Sequence, residues 1–159
     1  NQIIGFANSG GYVLGICNGF QILTESQLLP GALLHNTSHK FICKNIYLKV
    51  SSSNTLITNL YSTDPIKIPI AHGEGRYYAN QKTINELLEN DQILFNYCDQ
   101  KGYITEDSNP NGSILNIAGI CNIERNVFGM MPHPERASDA ELNNQDGKIL
   151  FNSIITNFI

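Results

Sequence analysis

A cysteine between two glycines, Gly15-Ile16-Cys17-Asn18-Gly19, stands where the apolar run Tyr12–Ile16 gives way to the helical spacing of Phe20, Ile22 and Leu23. A strand that turns sharply into a helix needs small neighbours, because a side chain would clash where the backbone doubles back. Such a turn holds the Cys17 sulfur above the end of a sheet. The helix N-terminus behind it favours the thiolate, the form that attacks a carbonyl carbon. The backbone N–H of Asn18 is then placed to meet the oxyanion formed on attack. A buried structural cysteine between two ordinary glycines has the same letters, so this stretch alone leaves both roles open.

A thiol nucleophile needs a base, and the base needs something to orient it. His133 fits best. It lies in Met131-Pro132-His133-Pro134-Glu135, directly after the apolar run Val127–Met130. Two prolines favour an extended backbone, in which residues i and i+2 project to one side, so His133 and Glu135 face the same way. That suits an imidazole held by a carboxylate at its far nitrogen. The other histidines are weaker candidates. His35 and His39 share a polar loop without an acidic neighbour in sequence, and metal ligation would want a helix and a third ligand. His72, in Ala71-His72-Gly73-Glu74-Gly75, follows a strand, and its glycines fit either a close backbone approach or a plain turn.

These groups need a scaffold, and the chain has the means to build one. Its 159 residues suit a single domain, and 42% hydrophobic residues suffice for a core. A formal charge of −4 argues against a nucleic-acid or anionic-membrane surface, and no apolar run is long enough to span a bilayer. Cys17, Cys43, Cys98 and Cys121 form no C-x-x-C pair, which excludes a zinc ribbon and suggests free thiols in a reducing cytoplasm. The pattern predicts a helix ending near residue 9 before Gly10-Gly11, a buried strand over Tyr12–Ile16, and a helix to about Ser26. Strands follow at Phe41–Val50 and Ile66–Ile70, and Pro69 places the second at an edge or strand end. Thr83-Ile84-Asn85-Glu86 reads as a capping box opening a short helix. Four further strands are expected at Ile93–Tyr97, Gly102–Thr105, Ala118–Asn122 and Val127–Met130. A last helix from about Asp146 would bury Phe151, Ile154, Ile155 and Phe158.

Together, G-x-C-x-G-x-Q and the downstream H-P-E resemble the class I (triad-type) glutamine amidotransferases. The fuller set of Gly15–Leu23, Leu28–Ala32, Phe41–Cys43, Pro69–Gly75, Asn111–Ser113, Ile117–Ile120 and Gly129–Arg136 resembles, more narrowly, the glutaminase subunits of phosphoribosylformylglycinamidine synthase in purine biosynthesis. The resemblance implies Cys17 as nucleophile, His133 as general base and acid, and Glu135 as its orienter. It implies that Asn18 supplies an oxyanion donor and that Gln21 contacts bound glutamine. It implies no cofactor or metal in this chain; ATP and Mg²⁺ would serve a large synthetase subunit, with a small accessory subunit assisting the complex.

The implied fold is a flavodoxin-like three-layer α/β/α sandwich, with residues 1–159 as one amidotransferase domain. Family members begin with further strands and helices, including a glycine-rich turn that supplies a second oxyanion N–H. Those elements do not precede Asn1, so the expectation is the later portion of the domain and a weak glutaminase on its own. Two other readings are a catalytically weak or inactive interaction module derived from that subunit, and a cysteine hydrolase acting on another acyl substrate. Gln21 and the A-H-G-E-G segment count against the hydrolase.

Overall fold

A computed structural model of the chain describes residues 2–62 and 65–158. Its helices are α1 (Gln2–Asn8), α2 (Asn18–Glu25), α3 (Gln81–Glu89) and α4 (Lys148–Phe158). Its strands are β1 (Val13–Ile16), β2 (Ala32–Leu34), β3 (Ile42–Val50), β4 (Ile66–His72), β5 (Arg76–Tyr78), β6 (Ile93–Cys98), β7 (Ile117–Cys121) and β8 (Val127–Met130). Six strands form one sheet in the order β1-β8-β7-β6-β3-β4, and β2 with β5 forms a separate antiparallel ribbon. Within the large sheet β1 and β8 run parallel, in the register Gly15↔Gly129 and Ile16↔Met130, and the remaining pairs are antiparallel.

The strands β6, β7 and β8 are buried along their whole length, as an interior sheet covered on both faces must be. On one face Phe20, Leu23, Ile84 and Leu87 of α2 and α3 pack against Ile93, Ile117 and Val127. On the other, Leu150 of α4 packs with Leu48, Ile68, Phe95 and Phe128. Three layers result, with β1 and β4 at the two edges.

The edge position of β4 agrees with Pro69. Its outer backbone is blunted by the segment before α4: the Lys67 N–H donates to Asp146 Oδ2 (2.7 Å), and Asn144 Nδ2 donates to the Lys67 carbonyl (2.7 Å). At the other edge β1 is only half-buried apart from Gly15, so the expectation of a fully buried strand is corrected. Among the described residues it has a strand neighbour on one side only.

Other differences have local causes. Residues 102–105 form no strand, because the Asp99 carboxylate accepts from the backbone N–H groups of Lys101 and Tyr103 and curls the chain into a turn. The cap of α3 is Asn80, whose side chain accepts from the Thr83 N–H (2.9 Å), so Thr83 is inside the helix. In α4 Phe151 and Ile154 pack against the core as expected, Leu150 and Ser153 are the fully buried positions, and Ile155 is exposed. The side chain of Phe158 lies outside the described residues. All four cysteines are free thiols. Among the described residues no helix is long and apolar enough to cross a membrane.

Candidate active site

The parallel pair β1/β8 brings two chain segments to one end of the sheet. Leaving β1, the Cys17 N–H donates to the Met130 carbonyl of β8 (2.8 Å). Three residues beyond Met130 is His133, whose own N–H donates to the Pro69 carbonyl of β4 (2.8 Å). The Cys17 sulfur in turn lies 3.9 Å from the Ala71 carbonyl, two residues along the same strand. Nucleophile and imidazole therefore converge beside the carboxyl end of β4, as sites in α/β sheets commonly lie outside the carboxyl ends of strands.

Cys17 is the N-cap of α2 with φ 53° and ψ −107°, a conformation that L-residues adopt at a cost of about 1–3 kcal/mol. Gly15 is what lets the turn close. A Cβ there would lie 2.6 Å from the Gly19 carbonyl carbon and 2.5 Å from Leu23 Cδ1. The Gly19 backbone cannot yield without moving the first turn of α2. Gly19 itself has open space where a Cβ would sit, so of the two flanking glycines only Gly15 is sterically required. Gly15→Ala is expected to cost about 1–3 kcal/mol, which lowers the melting temperature by roughly 3–10 °C. Thermal unfolding followed by circular dichroism checks this, with Gly19→Ala as the milder comparison.

The thiol is not the poised thiolate that a helix N-terminus alone would give. Burial raises the Cys17 pKa above its ordinary value, outweighing the opposing pull of the Asn18 backbone N–H and the Arg136 charge, while Glu135 adds to the rise. The resting nucleophile is a thiol that must lose its proton during attack.

His133 is 8% exposed, and its Nδ1 lies 2.6 Å from Glu135 Oε1. The meeting follows from a shape other than the extended one expected. Pro134–Ala137 form a 3-10 turn, with His133 as its N-cap, and that turn swings Glu135 back onto the imidazole. A carboxylate accepts, so Nδ1 carries a hydrogen and donates it to Glu135. His133 Nε2 is buried with no hydrogen-bond partner among the described residues. Glu135 Oε1 also lies 3.6 Å from Arg136 Nε. A half-buried thiol, an imidazole with its Nε2 unengaged and a carboxylate on its far nitrogen are the parts needed for acyl transfer through a thioester.

The other predicted positions divide. Asn18 presents its N–H to the Cys17 sulfur, where a developing oxyanion would also lie. Gln21 stands one turn beyond, its N–H donating to the Cys17 carbonyl (3.2 Å), but its amide runs outward to Glu25 Oε1 (3.2 Å). His35 is exposed and meets Glu74 across the loop at 3.3 Å, so its acidic neighbour comes from a distant segment. Among the described residues no group of His, Cys, Asp and Glu could hold a metal ion.

Sequence reasoning missed Asn36, which lies in the polar loop between His35 and His39 and is fully buried. It binds the Lys40 and His72 carbonyls and the His72 ring. Nearby, Asn111 and Ser113 hold the Gly75 carbonyl. The N-G-S motif was the only hint of that second anchor.

The chain matches the CobB/CobQ-like glutamine amidotransferase domain family over residues 1–151. It is 53% identical over 155 residues to a phosphoribosylformylglycinamidine synthase subunit PurQ of Aquifex aeolicus, covering 97% of this chain and 68% of that protein. A subunit of the same name from Acaryochloris marina is 54% identical over 154 residues, covering 96% of this chain and 66% of that protein. A solved structure described as PurLQS from Thermotoga maritima superimposes with a TM-score of 0.83 at 42% identity, covering 99% of this chain and 66% of that one. The chain thus spans about two thirds of the length of these relatives. Its three layers are those of the flavodoxin-like class I amidotransferase fold, and the chain belongs to the CobB/CobQ-like glutamine amidotransferase family.

Proposed function

We propose that the chain is the glutaminase portion of a phosphoribosylformylglycinamidine synthase, with Cys17, His133 and Glu135 as its catalytic groups. The observation that carries this is the His133–Glu135 pair at 2.6 Å, with the free Nε2 at the same sheet end as the Cys17 elbow. His133 Nε2 takes the Cys17 proton as the sulfur attacks the side-chain carbonyl of glutamine, and the Asn18 N–H meets the oxyanion. The imidazolium returns that proton to the departing nitrogen, releasing ammonia and leaving a glutamyl thioester. His133 then deprotonates a water, whose attack frees glutamate and restores the thiol.

The ammonia is destined for ATP-dependent conversion of formylglycinamide ribonucleotide to formylglycinamidine ribonucleotide. The partners are a large synthetase subunit and a small accessory subunit in the cytoplasm, and ATP and Mg²⁺ act on the synthetase. The names of the relatives support this assignment. Gln21 is assigned to glutamine contact, which requires its amide to leave Glu25 and turn inward.

The test is intact-mass spectrometry of the full-length protein, assembled with its synthetase, after incubation with 6-diazo-5-oxo-L-norleucine. This glutamine analogue alkylates the reactive cysteine of such sites. One adduct, absent from Cys17→Ser, is expected. A folded protein that takes no adduct would instead favour a non-catalytic interaction module.

A further inference from the structure

His72 is the residue that the triad leaves unexplained. It is 4% exposed at the end of β4, immediately after Ala71, whose carbonyl faces the Cys17 sulfur. Its tautomer is fixed by its neighbours. Asn36 donates through Nδ2 to the Lys40 and His72 carbonyls (2.8 and 2.9 Å), so its Oδ1 is the atom left facing the ring. That oxygen accepts from the Gly75 N–H (3.2 Å) and lies 3.0 Å from His72 Nδ1. Two acceptors cannot bond each other, so Nδ1 carries the hydrogen and Nε2 is a bare lone pair.

That Nε2 is buried with no partner among the described residues, and an unpaired buried acceptor costs about 1–3 kcal/mol. The ring is held in place all the same. A Cβ on Gly75 would lie 2.3 Å from His72 Cε1, so the second glycine of A-H-G-E-G exists to admit the imidazole. His72 is also close enough to His133 for the two to repel when charged. Burial pushes its pKa down to about 4, outweighing an opposing backbone contact, and the His133 repulsion adds a smaller push in the same direction, so it stays neutral at physiological pH.

A bound primary carboxamide has two N–H donors on the nitrogen that must leave. Neither is left an acceptor by the triad and Asn18: Asn18 donates, His133 Nε2 is taken up by the Cys17 proton that it later delivers, and the Glu135 oxygen facing the ring is taken by His133 Nδ1. We propose that His72 Nε2 accepts a hydrogen bond from the leaving nitrogen, first in the carboxamide and then in the departing ammonia, beside the proton donor His133. This rests on the glutaminase reading above. A permanently neutral acceptor suits the task, because it orients the nitrogen lone pair toward His133 without supplying a second proton.

The test compares leaving groups. In the full-length protein assembled with its synthetase, His72→Phe keeps a planar ring and removes the acceptor. Its kcat/KM for L-glutamine is expected to fall about 10–100-fold, while kcat/KM for the γ-methyl ester of L-glutamate, whose leaving oxygen bears no N–H, changes less than about threefold. Equal loss on both substrates, or no loss on glutamine, overturns the proposal. If the wild-type protein turns over neither substrate, the glutaminase reading itself has failed.

Should His72→Phe not fold, ¹⁵N-histidine NMR of the Cys17→Ser protein gives the same decision. Saturating glutamine is expected to shift the His72 Nε2 resonance as its lone pair gains a hydrogen bond, and the methyl ester is not. An unmoved resonance with glutamine bound overturns the proposal.

Discussion

Cys17→Ala is expected to lower glutamine turnover by about 10⁴-fold or more, equivalent to roughly 5.5 kcal/mol of barrier. The size follows from what the site lacks without sulfur. The residues gathered there are donors, bases and an orienting carboxylate, and none besides Cys17 can form the acyl bond that divides the reaction into two easier steps. Serine should not rescue it. Burial already holds the Cys17 thiol above its ordinary pKa, so even this acid relies on His133 to remove its proton. A hydroxyl is a far weaker acid and would ask more of the same base.

Cys17→Ser nevertheless keeps the shape of the elbow, and it should still bind glutamine with near wild-type affinity by calorimetry. Steady-state ammonia release from both variants checks the prediction. Retention of turnover within about tenfold by either variant would remove Cys17 from the chemistry.

The elbow was readable because its determinants are consecutive. Gly15, Cys17 and the apolar run before them specify strand, turn and helix within ten residues, and the structure needs Gly15 for a contact with Gly19 four positions away. Likewise the step from β8 to His133 to Glu135 is contiguous, so the pairing was legible even though the prolines deliver it through a 3-10 turn. What escaped depends on partners far apart in sequence. Asn36 reads as one polar residue in a polar loop, and only the return of β4 to that loop makes it the buried clamp on His72. The ribbon of β2 and β5 is three residues wide on each strand, too short for alternation to register. The thiol's environment escaped for the same reason. Helix polarity is local to residues 17–20, whereas the burial that outweighs it comes from the assembled sheet end.

Glu135→Gln is expected to reduce kcat by about 10²–10³-fold with little change in KM. The glutamine side chain can keep its oxygen toward His133 Nδ1, because the same Oε1 also faces the Arg136 guanidinium at 3.6 Å, which favours an acceptor there. The Nδ1–H tautomer then survives and Nε2 stays free to act. What disappears is the negative charge that stabilises the imidazolium formed when Cys17 gives up its proton. Glu135 is 45% exposed, so water screens part of that charge, and the loss should fall short of the roughly 10⁴-fold seen where a fully buried carboxylate is replaced. Glu135→Ala removes the acceptor as well, freeing the ring to rotate and change tautomer, so it should be worse than the glutamine variant. The order wild type, Glu135→Gln, Glu135→Ala in kcat, with KM nearly constant, is the signature of a residue that acts through His133. A Glu135→Gln enzyme within about twofold of wild type would make Glu135 a surface carboxylate that merely lies near the imidazole.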